Sequence, residues 1–353
     1  MKKFLAMLMA LAMVLSLAAC GGSSSSSSGS SDSSSAETSE SAEGGDAEEA
    51  EEGGSEATGD PDRNGDGEVV IAYSCIAGTD LAPWSGVMQT TVEELCKERG
   101  WTCNVLSAAG DATLQGTQIE TLLNDDPDYL LCFVGDADML VDSAELCAEQ
   151  DVPFITLSLD VSDPENVTAY CGADQESMAA GLAEAALDDV GEDFNYVIIS
   201  GVAVQMDYIL REAGITGTLD GKATQLGETQ FAMSSRDTAK TEMENLIATY
   251  GDQIDVLFGL DDDLTLGAIE ALQSAGLTDV KVYSITGQND AFQSISDGKL
   301  TMTVVNSAAE CVKTAFDVID QLAAGETVDH DNIVPVTYVT ADNVDEWLGK
   351  GEF

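Results

Sequence analysis

From Val69 onward the sequence repeats one unit: a short unbroken apolar run, a polar turn, then apolar residues at helical spacing. The apolar runs cover residues 69–75, 102–106, 129–134, 154–157, 168–171, 196–199, 223–228, 256–260, 281–285 and 301–305. Amphipathic stretches such as 86–98, 138–149, 178–188 and 264–275 lie between them. A strand that is apolar at every position has both faces buried, and strands that alternate with helices pair in parallel. The repeat therefore predicts an α/β chain with parallel sheets covered on both sides. Its roughly ten strands are enough for two sheets, and such sheets hold ligands at the carboxyl ends of their strands.

The N-terminal end obeys different rules. Lys2 and Lys3 precede a 14-residue apolar stretch, 4–17, too short to span a bilayer and suited to an export signal. Its close, Leu17-Ala18-Ala19-Cys20, resembles the lipobox of bacterial lipoproteins, which implies lipidation of Cys20 and a mature protein tethered to the outside of a membrane. Residues 21–68 are serine, glycine, alanine and acids without an aromatic, a composition that predicts a disordered, self-repelling tether. Within it, Asp62-Arg63-Asn64-Gly65-Asp66-Gly67 matches the first half of a calcium loop, but the twelfth position is Tyr73 in place of a glutamate. The glycine-rich end of a tether is the better reading.

Residues 69–353 carry 51 acids against 10 bases, a net charge of about −41. That charge repels nucleic acid and anionic lipid and disfavours an anionic ligand. Seven cysteines lie in this body: Cys75, Cys96, Cys103, Cys132, Cys147, Cys171 and Cys311. Several fall in apolar strand runs, so buried, reduced thiols are expected, and without a CxxC spacing a structural zinc is not. Signs of catalysis are few. The one histidine, His330, sits in a polar connector that reads as solvated loop, and no GxxxxGK[ST], GxSxG or GxGxxG occurs. Neither an enzyme nor a cofactor or metal is expected.

Several segments, in order, carry a resemblance. "REAG" at 211–214, "LFGLDDDLTLGAIEALQSAGLTDVKVYSITG" at 257–287, "ISDGKLTMTVVN" at 295–306 and "VIDQLAAGE" at 318–326 are similar to segments of the ribose-type, type I periplasmic binding proteins. The stretch from "LLNDDPDYLLCFVG" to "VPFITLSLD" resembles the same family. The resemblance implies two Rossmann-like lobes with parallel sheets joined by three crossovers near Ala173, Asn306 and Pro335. The lobes would be 69–173 with 307–334, and 174–306 with 335–353. It also implies a monomeric extracytoplasmic protein that closes on a small molecule, a sugar or sugar-like compound, and delivers it to an ABC transporter permease. The alternative use of the same closure is a ligand-sensing module for a receptor or kinase; an enzyme on this scaffold is the third reading.

Carried over residue by residue, the resemblance puts Trp84 against the ligand's apolar face. Arg211, Asp261 and Asn306 would be polar contacts, Ser158 and Thr286 stand where the family has further anchors, and Asp160 offers a carboxylate displaced by two positions. Phe133 and Ala82 replace asparagines of the pattern, and Ser158-Leu159 replaces its Asp-Arg pair, so ribose itself is not expected. In Asp261-Asp262-Asp263, successive side chains diverge too far to share a metal. Asp261 is expected at the ligand, Asp262 as the cap of the following helix, and Asp263 in solvent.

Overall fold

The computed structural model describes residues 59–79 and 83–350; the export signal, Cys20 and most of the tether lie outside them. The first lobe begins β1 (Val70–Cys75), α1 (Pro83–Arg99), β2 (Thr102–Ser107), α2 (Ala112–Leu123), β3 (Tyr129–Phe133), α3 (Val141–Glu149), β4 (Phe154–Leu157) and β5 (Ala169–Gly172). These strands are parallel in the order β2-β1-β3-β4-β5. Strand β3 shows why the apolar runs are unbroken. Tyr129 and Leu131 enter the core under α1, while Leu130 and Cys132 enter the one under α2 and α3. Alternate side chains leave opposite faces, and both faces are covered.

The second lobe follows as α4 (Gln175–Val190), β6 (Asn195–Ser200), α5 (Met206–Leu219), β7 (Thr224–Gln225), β8 (Gln230–Phe231), α6 (Arg236–Tyr250), β9 (Val256–Gly259), α7 (Asp262–Ala275), β10 (Lys281–Thr286), α8 (Asn289–Ser296) and β11 (Met302–Val305). The chain then returns through α9 (Ala308–Ala323) to β12 (Asp331–Ile333), which adds to β5, and crosses again to β13 (Thr337–Thr340), antiparallel to β11. The second sheet reads β7-β6-β9-β10-β11-β13, with β8 also on β6. Thus the chain passes between the sheets three times, after Gly172, Val305 and Ile333.

Two helix pairs of the second lobe approach unusually closely. A β-carbon on Gly214 of α5 would stand 2.2 Å from the Glu176 carbonyl oxygen at the start of α4, and one on Gly267 of α7 would stand 2.2 Å from the Arg236 carbonyl oxygen of α6. The glycine of "REAG" is therefore a packing requirement.

The tether ends earlier than its composition predicts. Residues 59–68 form a turn on the first lobe, in which the Asp62 carboxylate accepts the Gly65, Asp66 and Gly67 N–H groups. Buried Asp128 accepts from Arg63 N at 2.6 Å and from Val70 N at 2.7 Å, fastening this turn to the start of β1. The oxygens that resembled half a calcium loop thus bind main-chain N–H groups. Among the described residues no group of three or more His, Cys, Asp or Glu is placed to hold a metal. The seven body cysteines are reduced thiols, six of them buried and Cys103 half-buried.

Candidate functional site

The apolar run of β9 ends at the three aspartates, and each has a different task. Asp261 is the N-cap of α7: its Oδ1 accepts from Asp263 N at 2.8 Å and its carbonyl from Thr265 Oγ1 at 2.7 Å. Asp262, expected as the cap, points inward and is fully buried. It accepts from Ser284 Oγ (2.5 Å), Thr303 Oγ1 (2.7 Å), Gly287 N (2.7 Å) and Gln288 N (2.7 Å). Burial pushes its carboxyl up to about 7, with these donors opposing the shift. Asp263, expected in solvent, pairs with Arg236 of α6 at 2.6 Å. The aspartate that enters the helix first cannot reach its own helix's N–H groups once β10 and β11 supply hydroxyls beneath it.

From Asp261 a chain of contacts runs across the molecule. Thr286 Oγ1, at the end of β10, donates to Asp261 Oδ2 at 3.3 Å. Thr286 has φ of 137°, a backbone conformation that side-chain-bearing residues rarely adopt and that concentrates at functional sites. Its carbonyl accepts from Asn306 N at 3.1 Å, and the Asn306 carbonyl accepts from Trp84 Nε1 of the first lobe at 2.7 Å. Trp84 also meets Phe133, with ring centroids 5.5 Å apart. Phe133, where the family pattern has an amide, thus becomes an aromatic neighbour. In the other direction the carbonyl of Leu260, the residue before Asp261, accepts from Arg211 Nη1 at 2.8 Å; burial raises the Asp261 carboxyl, with the charge of Arg211 opposing. Arg211 is 6 % exposed and largely held by its own lobe. Its Nε donates to Gln175 Oε1 (2.8 Å), Nη1 donates to the Leu260 carbonyl (2.8 Å), and Nη2 lies 3.8 Å from Asp207.

Ser158 and Asp160 belong to a different corner. Ser158, at the end of β4, has φ of 64°, and the Tyr170 hydroxyl donates to its carbonyl and to that of Ala173, where the chain leaves the first lobe. Asp160 Oδ1 accepts from Thr156 Oγ1 (2.9 Å) and Val161 N (2.8 Å), and Oδ2 lies 3.2 Å from His330 Nε2. Burial raises the Asp160 carboxyl. Its oxygens are thus engaged within the first lobe. His330 is correspondingly no solvated loop residue: it precedes β12 and lies between Asp160 and Asp331, the latter at 2.6 Å. The structure therefore joins Trp84, Asn306, Thr286, Asp261 and Arg211 in one network and leaves Ser158 and Asp160 beside a crossover.

Two residues that sequence reasoning passed over belong to this network. Gln175, a helix's first residue, has no spacing signal, whereas Asp207 stands four positions before Arg211 on α5, a helical ion-pair spacing that could have found it. Three polar atoms here are buried without a hydrogen-bond partner: Asn306 Oδ1, Gln175 Nε2 and Asp207 Oδ1. Two acceptors, one donor, an aromatic pair and a backbone held in rare conformations are suited to binding a polar, uncharged molecule. Two grooves on the outer face of the second lobe, about 240 Å³ between α4 and α5 and about 530 Å³ along α6 to α8, include none of these residues. The contact network, in which both lobes take part, marks the site better than groove volume does.

Comparison with known proteins bears on the same segments. The family described as periplasmic binding protein domain matches residues 75–327. A xylitol-binding protein of Mycolicibacterium smegmatis is 28% identical over 245 residues, covering 68% of each chain. The ribose import binding protein of Bacillus subtilis is 28% identical over 248 residues, covering 70% of this chain and 79% of the relative. Among solved structures, an ABC transporter solute-binding protein from Bacillus halodurans with bound myo-inositol superposes with a TM-score of 0.72 at 26% identity, covering 80% of this chain and 97% of the other. A galactofuranose-binding protein gives the same TM-score at 19% identity, a likeness of fold.

Proposed function

Because this chain belongs to the periplasmic binding protein domain family, we propose that it captures a neutral sugar or polyol between its lobes and delivers it to an ABC transporter permease. It does so outside the cell membrane, held there through a lipidated Cys20. One observation carries the reading: the contacts that run from Trp84 through Asn306 and Thr286 to Asp261, and from the adjoining Leu260 carbonyl to Arg211, taking residues from both lobes. Trp84 offers an apolar face for stacking, and Arg211, Asp261, Thr286 and Asn306 offer the polar contacts. Ser158 and Asp160 shape the first lobe's side next to the crossover. Support for the ligand class comes from relatives that take xylitol and ribose and from the likeness to a structure with myo-inositol. Charge supports it as well, since a body with 51 acids and 10 bases repels anions.

The test is thermal melting of the purified protein with ribose, xylitol, myo-inositol, nucleosides and amino acids. A ligand that binds the native state alone raises the melting temperature. We expect a rise with at least one neutral sugar or polyol. A rise with amino acids only, or with nothing, rejects the reading.

A further inference from the structure

The wall that carries Arg211 is completed by a residue with no place in the expected site. Gln175 is the first residue of α4, just past the first passage between the lobes, and is 3 % exposed. Its Oε1 accepts from Arg211 Nε at 2.8 Å. Arginine only donates, so the amide oxygen must be the atom turned toward it, and this fixes which way the amide lies. The amide nitrogen is then left buried with no partner. Such orphaned donors are uncommon in native proteins and call for an explanation. The surroundings supply one. Arg211 Nη1 is bonded to the Leu260 carbonyl, immediately before Asp261, so Gln175, Arg211 and Asp261 form one continuous wall at the carboxyl end of β9.

We propose that Gln175 Nε2 donates a hydrogen bond to an acceptor oxygen of the bound molecule, a hydroxyl or ring ether, and thereby helps to set specificity. The assignment rests on the reading that the cleft binds a neutral sugar or polyol. It also sharpens that reading. The single guanidinium of this wall has the Asp207 carboxylate at 3.8 Å and also acts on the carboxyl of Asp261, so no cation is left over for an acidic ligand. A sugar acid would therefore be rejected where its neutral parent binds.

Two roles must be separated, because Gln175 also holds Arg211 in place. Gln175→Glu keeps an oxygen for Arg211 Nε and removes the amide donor, whereas Gln175→Ala removes both. Calorimetry on the purified proteins with ribose, xylitol and myo-inositol, and with ribonate as the acid, reads the difference. Wild type is expected to bind a neutral compound and not ribonate. Both folded variants should lose at least about tenfold in affinity for it, as loss of a buried hydrogen bond does. If Gln175→Glu binds as well as wild type while Gln175→Ala does not, Gln175 only positions Arg211 and the donor assignment is overturned. If Gln175→Ala does not fold, the comparison of Gln175→Glu with wild type decides by itself. If wild type binds none of the neutral compounds, the reading on which the assignment rests is overturned, a failure distinct from retained affinity in the glutamate variant.

Discussion

At the scale of single residues, Asp262 and Asp263 show how differently adjacent carboxylates are used. Asp262 is buried with four donors around it, and Asp263 is a 40 % exposed partner of Arg236. Replacing Asp262 by Ala leaves those donors unpaired and should cost upward of about 3 kcal/mol, against less than about 1 kcal/mol for Asp263→Ala. Asp262 also ties stability to pH. Its carboxyl sits at about 7 in the folded protein against an ordinary 3.8, so the folded state holds a proton that the unfolded state releases. The stabilisation is complete below about 3.8 and is lost as pH rises through about 7. Melting temperature should therefore be higher at pH 5 than at pH 8, with a smaller difference in Asp262→Asn. An equal pH response in that variant would mean that Asp262 is ionised throughout.

At the scale of elements, the glycines of the second lobe offer a test whose sign is informative. In an exposed helix, replacing glycine by alanine stabilises by about 1 kcal/mol. Gly267 lies inside α7, but its missing β-carbon would meet the α6 backbone at 2.2 Å. Gly267→Ala should therefore destabilise, by roughly 1–3 kcal/mol in urea unfolding, because two backbones must separate. A gain in stability would show that the helices can part freely. The elements also show what a sequence can reveal. The ten apolar runs are legible because central parallel strands bury both faces, and each run overlaps a strand of the structure. Strands β8, β12 and β13 escape notice because they are short, lie beside or at sheet edges and carry exposed or polar side chains such as Asp331 and Asn332. Main-chain pairing is what defines β8 and β12, and in β13 Val339 alone is fully buried, which leaves no hydrophobic pattern. The turn at 59–68 is hidden similarly, since its acids bond to main-chain N–H groups and the local composition is that of a tether.

At the scale of the whole molecule, the outline of two lobes is legible from the strand–helix repeat, and five of the expected site residues join one network. What the sequence does not disclose is adjacency across the lobes. Trp84 and Asn306 are 222 positions apart, and no periodicity connects them. The proposed anchor is likewise tested on the entire chain. Cys20→Ser should leave the washed membrane fraction and bind ligand with unchanged affinity, because the lobes do not depend on where the tether ends; a variant that stays on the membrane would refute lipidation at this position. The bond between Trp84 Nε1 and the Asn306 carbonyl ties the first lobe to a crossover, so the lobes cannot part there without breaking it. Its consequence is kinetic. A solute can enter only while the lobes are apart, so a bond that favours the shut arrangement slows entry in proportion to the fraction that is open. The same bond, retained around a captured solute, lengthens its residence. To the extent that it is equally strong in the open-to-shut step with and without cargo, this bond sets how fast the cargo turns over, while the indole face bears on how tightly it is held.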